Sequence, residues 1–142
     1  MKKNAGKNRK GFSLIEIMVA IMILGTSYIG IIQAFPYAMS IIKTAENETI
    51  ASFLAQEKIE EINQMTYAEV TVGTIETRHR LGGSGDKLYH FERQTDVVYV
   101  DSDLNDSVSD TGLKKIITTV YYTNSISKSE KEYTLKTVIV SR

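Results

Sequence analysis

From Phe12 to Phe35 the chain runs for 24 residues with one charged side chain, Glu16. At about 1.5 Å per residue a helix of that length reaches roughly 36 Å, enough to cross the hydrocarbon core of a bilayer. A core helix of a soluble domain rarely stays apolar on every face for so long, so the segment predicts a membrane helix. Glu16 is the anomaly. A carboxylate inside such a run costs about 2.5–3.5 kcal/mol on insertion scales and needs a compensating partner. No basic residue follows within the run, so the partner has to come from outside it or be a positive charge made nearby.

The charge distribution gives that segment a direction. Residues 1–11 carry Lys2, Lys3, Lys7, Arg9 and Lys10 with no acid, whereas residues 12–142 hold 12 basic and 17 acidic side chains, a balance of −5. A basic head before an apolar segment stays on the cytoplasmic side. The acidic remainder gives no support to a nucleic-acid role, which favours a clustered basic surface. A conventional secretory signal needs small residues at a cleavage site after the apolar core; Gly25-Thr26-Ser27 fits poorly and leaves Glu16 unexplained. The absence of cysteine excludes disulfides, thiolate metal sites, a lipid-modified Cys anchor and a Cys nucleophile. At 142 residues the chain holds one modest domain.

Beyond Pro36 the period changes. Ala51, Leu54, Ala55, Lys58, Ile59, Ile62 and Met65 recur at three- and four-residue steps, with Glu46, Glu48, Gln56, Glu57, Glu60 and Glu61 mostly on the other sides. This is an amphipathic helix laying one stripe on another element, with a sheet the better reading and a partner helix the alternative. If continuous with the apolar run, residues 12–64 make about 80 Å of helix, with Pro36 a candidate kink and Gly25 and Gly30 weak points. From residue 66 onward the pattern is β-like. Leu88–Asp101, Leu113–Tyr122 and Tyr133–Val140 are the expected strands. In the second of these, Ile116, Val120 and Tyr122 share one face, and Ile117, Thr119 and Tyr121 the other. Thr123–Ser129 reads as the turn between the last two strands, with Gly82–Asp86 and Asp101–Gly112 as further loops. The expected fold is α+β: a long N-terminal helix with a small antiparallel sheet on its C-terminal half. The expected organisation is a leader at 1–11, a membrane half-helix at 12–35, an amphipathic half at 36–65 and a β-rich head at 66–142.

Gly11-Phe12-Ser13-Leu14-Ile15-Glu16, preceded by Arg9-Lys10, resembles the class III signal of type IV pilins and type II secretion pseudopilins. The resemblance implies a pilin-like fold and processing by a prepilin peptidase, which cuts after Gly11 and methylates the new amino terminus at Phe12. It also implies that Glu16 neutralises the amino terminus of an adjacent subunit during assembly. Cutting there creates the positive charge that Glu16 lacks. The implied partners are the peptidase, other pilins or pseudopilins through the helix, and inner-membrane lipid before assembly. The implied location is the bacterial cytoplasmic membrane, N-terminus inside, and then a pilus or pseudopilus with the head outside. Gly30, Gln33 and Ala51–Glu60 are more similar to the minor pilin V and minor pseudopilin I kinds than to a major pilin. Pro36 lies three residues later than the usual major-pilin proline, and the disulfide loop of many major pilins cannot form.

Elsewhere the residues offer little chemistry. Asp101, Asp103, Asn105, Asp106 and Asp110 invite a calcium site, but Asp106 stands where an EF-hand loop needs Gly and Gly112 where it needs Glu, so a solvated acidic turn is the better reading. Gly82-Gly83-Ser84-Gly85-Asp86-Lys87 lacks phosphate-loop spacing and sits between strand-like segments, so a hairpin loop is the better reading, and His79 and His90 have no metal-ligand spacing. No Ser/His/Asp grouping supports catalysis, and no cofactor or metal is expected. The favoured reading is a structural, non-enzymatic subunit, minor in kind. The alternatives are a tip adhesin or DNA-uptake pilin acting as a binding module, and an uncleaved single-pass anchored domain.

Overall fold

The computed structural model describes residues 11–123 and 129–141. The basic residues at 2–10 and the centre of the turn expected at Thr123–Ser129 lie outside them. One helix, α1 (Leu14–Asn63), precedes five strands: β1 (Gly73–Arg80), β2 (Phe91–Val100), β3 (Asp106–Ser107), β4 (Leu113–Thr123) and β5 (Glu130–Val140). The architecture is α+β. Two compact units divide at residue 40.

In the first unit every described residue up to Met39 is exposed, and an 18-residue window of α1 reaches a mean hydropathy of 2.1. The hydroxyls of Thr26 and Ser27 are satisfied by the helix itself. Thr26 Oγ1 donates to the carbonyls of Met22 and Ile23 at 3.1 and 3.0 Å, and Ser27 Oγ donates to Ile23 O at 2.8 Å. Such back-bonding keeps polar side chains compatible with an apolar surrounding. Pro36 sits inside α1, and the helical assignment continues through it.

The second unit is a four-strand antiparallel path, β1-β2-β4-β5, with β3 paired to the end of β2. Strand alternation decides its inner face. Phe91, Val97, Ile116, Val120 and Tyr122 are buried there against Ala51, Leu54, Ala55, Ile59 and Ile62 of α1. Full burial of a large aliphatic side chain contributes about 1.5–3 kcal/mol, and Ile62, Ile116, Val97 and Val120 are all fully buried. Two apolar clusters form. One joins Ala51, Leu54, Phe91 and Tyr122; the other joins Ile59, Ile62, Val70, Val97 and Ile116. Residue order along α1 and β2 therefore runs the same way, residue 51 near Phe91 and residue 62 near Val97. Met65, expected on the buried stripe, falls beyond the end of α1 and is 43% exposed.

The strand expected at Leu88–Asp101 begins later. Lys87–His90 form a short 3-10 turn capped by Asp86, whose carboxylate accepts from Leu88 N at 3.2 Å. This turn closes the β1–β2 hairpin. A Cβ on Gly82 would lie 2.7 Å from Tyr89 N, so glycine is required there by close backbone approach.

Candidate processing and assembly site

The cap of α1 brings the residues singled out in the sequence onto three consecutive structural positions. Gly11 and Phe12 precede the helix, Ser13 is its cap residue, and Glu16 lies in the first turn. The Ser13 carbonyl accepts from Glu16 N at 3.0 Å and from Ile17 N at 3.2 Å, which is how a cap residue starts the intrahelical ladder. Phe12 is 81% exposed, and Glu16 is exposed as well. A carboxylate in the first turn faces the positive end of the helix dipole, a favourable placement.

Ser13 has a role that reading for chemistry alone passes over. Ser13 and Glu16 have the S-x-x-E spacing of a capping box, and Phe12 and Ile17 occupy the two positions of a hydrophobic staple. The same six residues thus encode a helix start. That signal is local and was available from the sequence.

The other candidates are placed away from this end. Asp101 Oδ1 accepts from the backbone amides of Asp103 and Asn105, both at 2.9 Å. The amide of Asn105 is the chief cause holding the Asp101 carboxyl below its ordinary range. Asp106 pairs with Lys115 at 2.6 Å, and Asp110 accepts from Tyr67 Oη at 2.5 Å. The Tyr67 phenol is pushed up to about 12 by burial, then by that bond to Asp110. Asp101 closes the loop on itself while Asp106 and Asp110 tie it to Lys115 and Tyr67, and among the described residues no group of three or more His, Cys, Asp or Glu is set to hold a metal. His79 Nδ1 lies 3.0 Å from the Thr77 carbonyl, and His90 lies edge-on to Tyr89.

Two buried cations went unnoticed in the sequence. Arg93 and Lys114 are 9% and 5% exposed, on the inner face of β2 and β4. Lys114 Nζ donates to the carbonyls of Tyr67 and Val70, each at 2.7 Å, and lies 3.9 Å from the Tyr67 ring centroid. Arg93 is chelated by Glu76 and also donates to Leu54 O. Strand alternation placed both cations on the apolar face, which was the signal available.

Residues 6–27 match the model of the prokaryotic N-terminal methylation motif. Over those residues the chain is similar to the class III signal of type IV pilins and pseudopilins. The observed architecture, one long apolar N-terminal helix and a small antiparallel sheet, is the α+β, pilin-like one expected from the sequence. Comparison with curated proteins and with solved structures gives no match. The matched motif is one of N-terminal methylation, and α1 is long and apolar enough to cross a membrane.

Proposed function

We propose that the chain is a minor structural subunit of a type IV pilus or related pseudopilus, processed between Gly11 and Phe12 and assembled through α1. The observation that carries this reading is the methylation motif lying on the start of an exposed apolar helix whose first turn holds Glu16. Hydrolysis of the Gly11–Phe12 amide takes up one water and leaves a carboxylate on Gly11 and an ammonium on Phe12. Transfer of a methyl group from an activated donor then gives N-methyl-Phe12 with loss of one proton. The amine stays cationic at neutral pH, and the carboxylate of Glu16 on a neighbouring subunit neutralises it. The basic residues before the helix keep the N-terminus cytoplasmic, and the head lies on the far side. The chain is in this reading a substrate and a building block, not a catalyst.

Mass spectrometry of the membrane-extracted protein tests the processing. The expected N-terminus is Phe12 heavier by one methyl group; retention of residues 1–11 in cells with an active peptidase refutes it. Substitution at Glu16 tests the charge. Glu16→Gln keeps a side chain that serves a capping box and removes the negative charge. Loss of incorporation into filaments, by about tenfold or more, supports neutralisation. Normal incorporation of Glu16→Gln shows that Glu16 acts through the helix start alone.

A further inference from the structure

Among the four long strands of the sheet, β1 has the least apolar attachment. Of its eight residues, Glu76 alone is half-buried and the rest are exposed. The chain on either side is tied down: Val70 belongs to one apolar cluster, and Leu81 packs on the other. Between these anchors, eight residues of β1 face six of β2, because the register slips twice, once on each side of Glu76. Bulges of this kind leave residues unpaired in the ladder.

On the outer face β1 is held by polar contacts. Thr74 Oγ1 donates to Asp96 at 2.6 Å. Arg78 pairs with Glu92 at 2.6 Å and with Glu130, and Arg80 pairs with Glu92 at 3.3 Å. The two arginine side chains are 40% and 47% exposed, and exposed pairs contribute little. The inner face differs. The Glu76 side chain, 11% exposed, accepts from Arg93 Nε at 3.1 Å, Arg93 Nη2 at 3.0 Å and Thr95 Oγ1 at 2.8 Å. The third arm of the same guanidinium, Nη1, donates to the carbonyl of Leu54 in α1 at 3.1 Å. One carboxylate therefore joins β1 to β2 and, through Arg93, to α1.

We propose that β1 is a strap latched by Glu76: loss of its charge frees β1 from the edge of β2 while β2, β4 and β5 stay folded. The charged or titratable groups around the latch are Arg93 from β2, His79 from β1 with Nε2 at 3.5 Å, and Lys58 from α1, itself paired with Glu61 at 2.9 Å. From β4 the neighbour is the neutral Thr118, whose Oγ1 lies 3.4 Å from that of Thr95. Neutralising Glu76 leaves the Arg93 guanidinium buried without the carboxylate that chelates it, a costly arrangement. Burial raises the Glu76 pKa, but the bonds from Arg93 and Thr95 outweigh it and the net shift is downward from 4.5. A depressed folded pKa means that the latch is complete above the ordinary value and is lost as pH falls through the lower folded one. Release belongs to acid conditions, and it bares the backbone edge of β2 to an incoming strand.

Hydrogen exchange of the full chain in detergent, read by mass spectrometry, tests the strap. At neutral pH, Glu76→Gln is expected to accelerate exchange across 73–80 by about tenfold, with 113–123 and 130–140 within about twofold of wild type. Arg78→Ala, which removes outer-face pairs only, is expected to leave 73–80 within about threefold. In the unsubstituted chain, with rates normalised to an unstructured peptide, acidification from about pH 6 to about pH 3.5 is expected to strip protection from β1 before β4. Unchanged exchange at 73–80 in Glu76→Gln overturns the proposal. So does equal acceleration of β1 and β4, or simultaneous loss of protection in both on acidification.

Discussion

The first unit, residues 11–40, and the second, residues 41–141, solve the problem of polar groups in apolar surroundings in opposite ways. In the first, large side chains such as Ile21, Leu24, Ile31 and Phe35 are exposed, and the hydroxyls of Thr26 and Ser27 bond to the helix that carries them. In the second, the apolar residues are buried against one another, and the polar groups among them are satisfied across elements, Arg93 by β1 and α1, Lys114 by the turn after α1. A unit with self-contained hydrogen bonds presents the same surface whatever surrounds it. A unit with shared hydrogen bonds holds one arrangement of its elements.

That contrast is broken most forcefully at Arg93. Removing one partner of a buried pair strands the other, so Arg93→Ala is expected to lower the unfolding free energy of the second unit by about 3–5 kcal/mol. Denaturation in detergent followed by the circular dichroism of the sheet measures it. The accompanying change Glu76→Leu is expected to recover most of that loss, because no charge then remains without its counterpart.

Next in size is a pair of identical substitutions on the same helix. Ile62→Ala removes a fully buried side chain and is expected to cost about 2–5 kcal/mol in the same measurement. Ile23→Ala alters a side chain that is 60% exposed and is expected to leave the unfolding of the second unit within about 0.5 kcal/mol of the parent. A comparable loss from both would erase the distinction between the units. A smaller loss than at Arg93 or Ile62 is expected at Lys114→Met, which keeps the stem but withdraws the donor from the carbonyls of Tyr67 and Val70, at about 1–3 kcal/mol. Its local signature is faster exchange of amides in 66–70, where Lys114 now fastens the chain.

The two units also differed in how far they could be read from sequence. The first follows from composition alone, because an apolar run of that length leaves few alternatives. The helix stripe and the faces of β4 were equally open: Ile116, Val120 and Tyr122 are buried, and Ala51 to Ile62 meet them. β1 was not legible. Gly-Thr-Ile-Glu-Thr-Arg-His-Arg has no apolar alternation because its one inward side chain is the carboxylate of Glu76, and that makes sense only once Arg93 is opposite. β3 is two residues long and too short for any period. Met65 misled because helical spacing continues in the sequence past Asn63, where the helix stops. At the N-terminus the motif was legible as chemistry, while its second content, a cap at Ser13, was hidden by that first meaning.

The back-bonded hydroxyls of Thr26 and Ser27 carry a further consequence. Moving a segment between two media normally requires its donors to exchange partners, and each exchange adds a barrier. Here the donors are already held by the carbonyls of Met22 and Ile23. In the proposed assembly no exchange is therefore needed at these two hydroxyls, and the choice between lipid and a protein neighbour along this stretch of α1 falls to contact and shape.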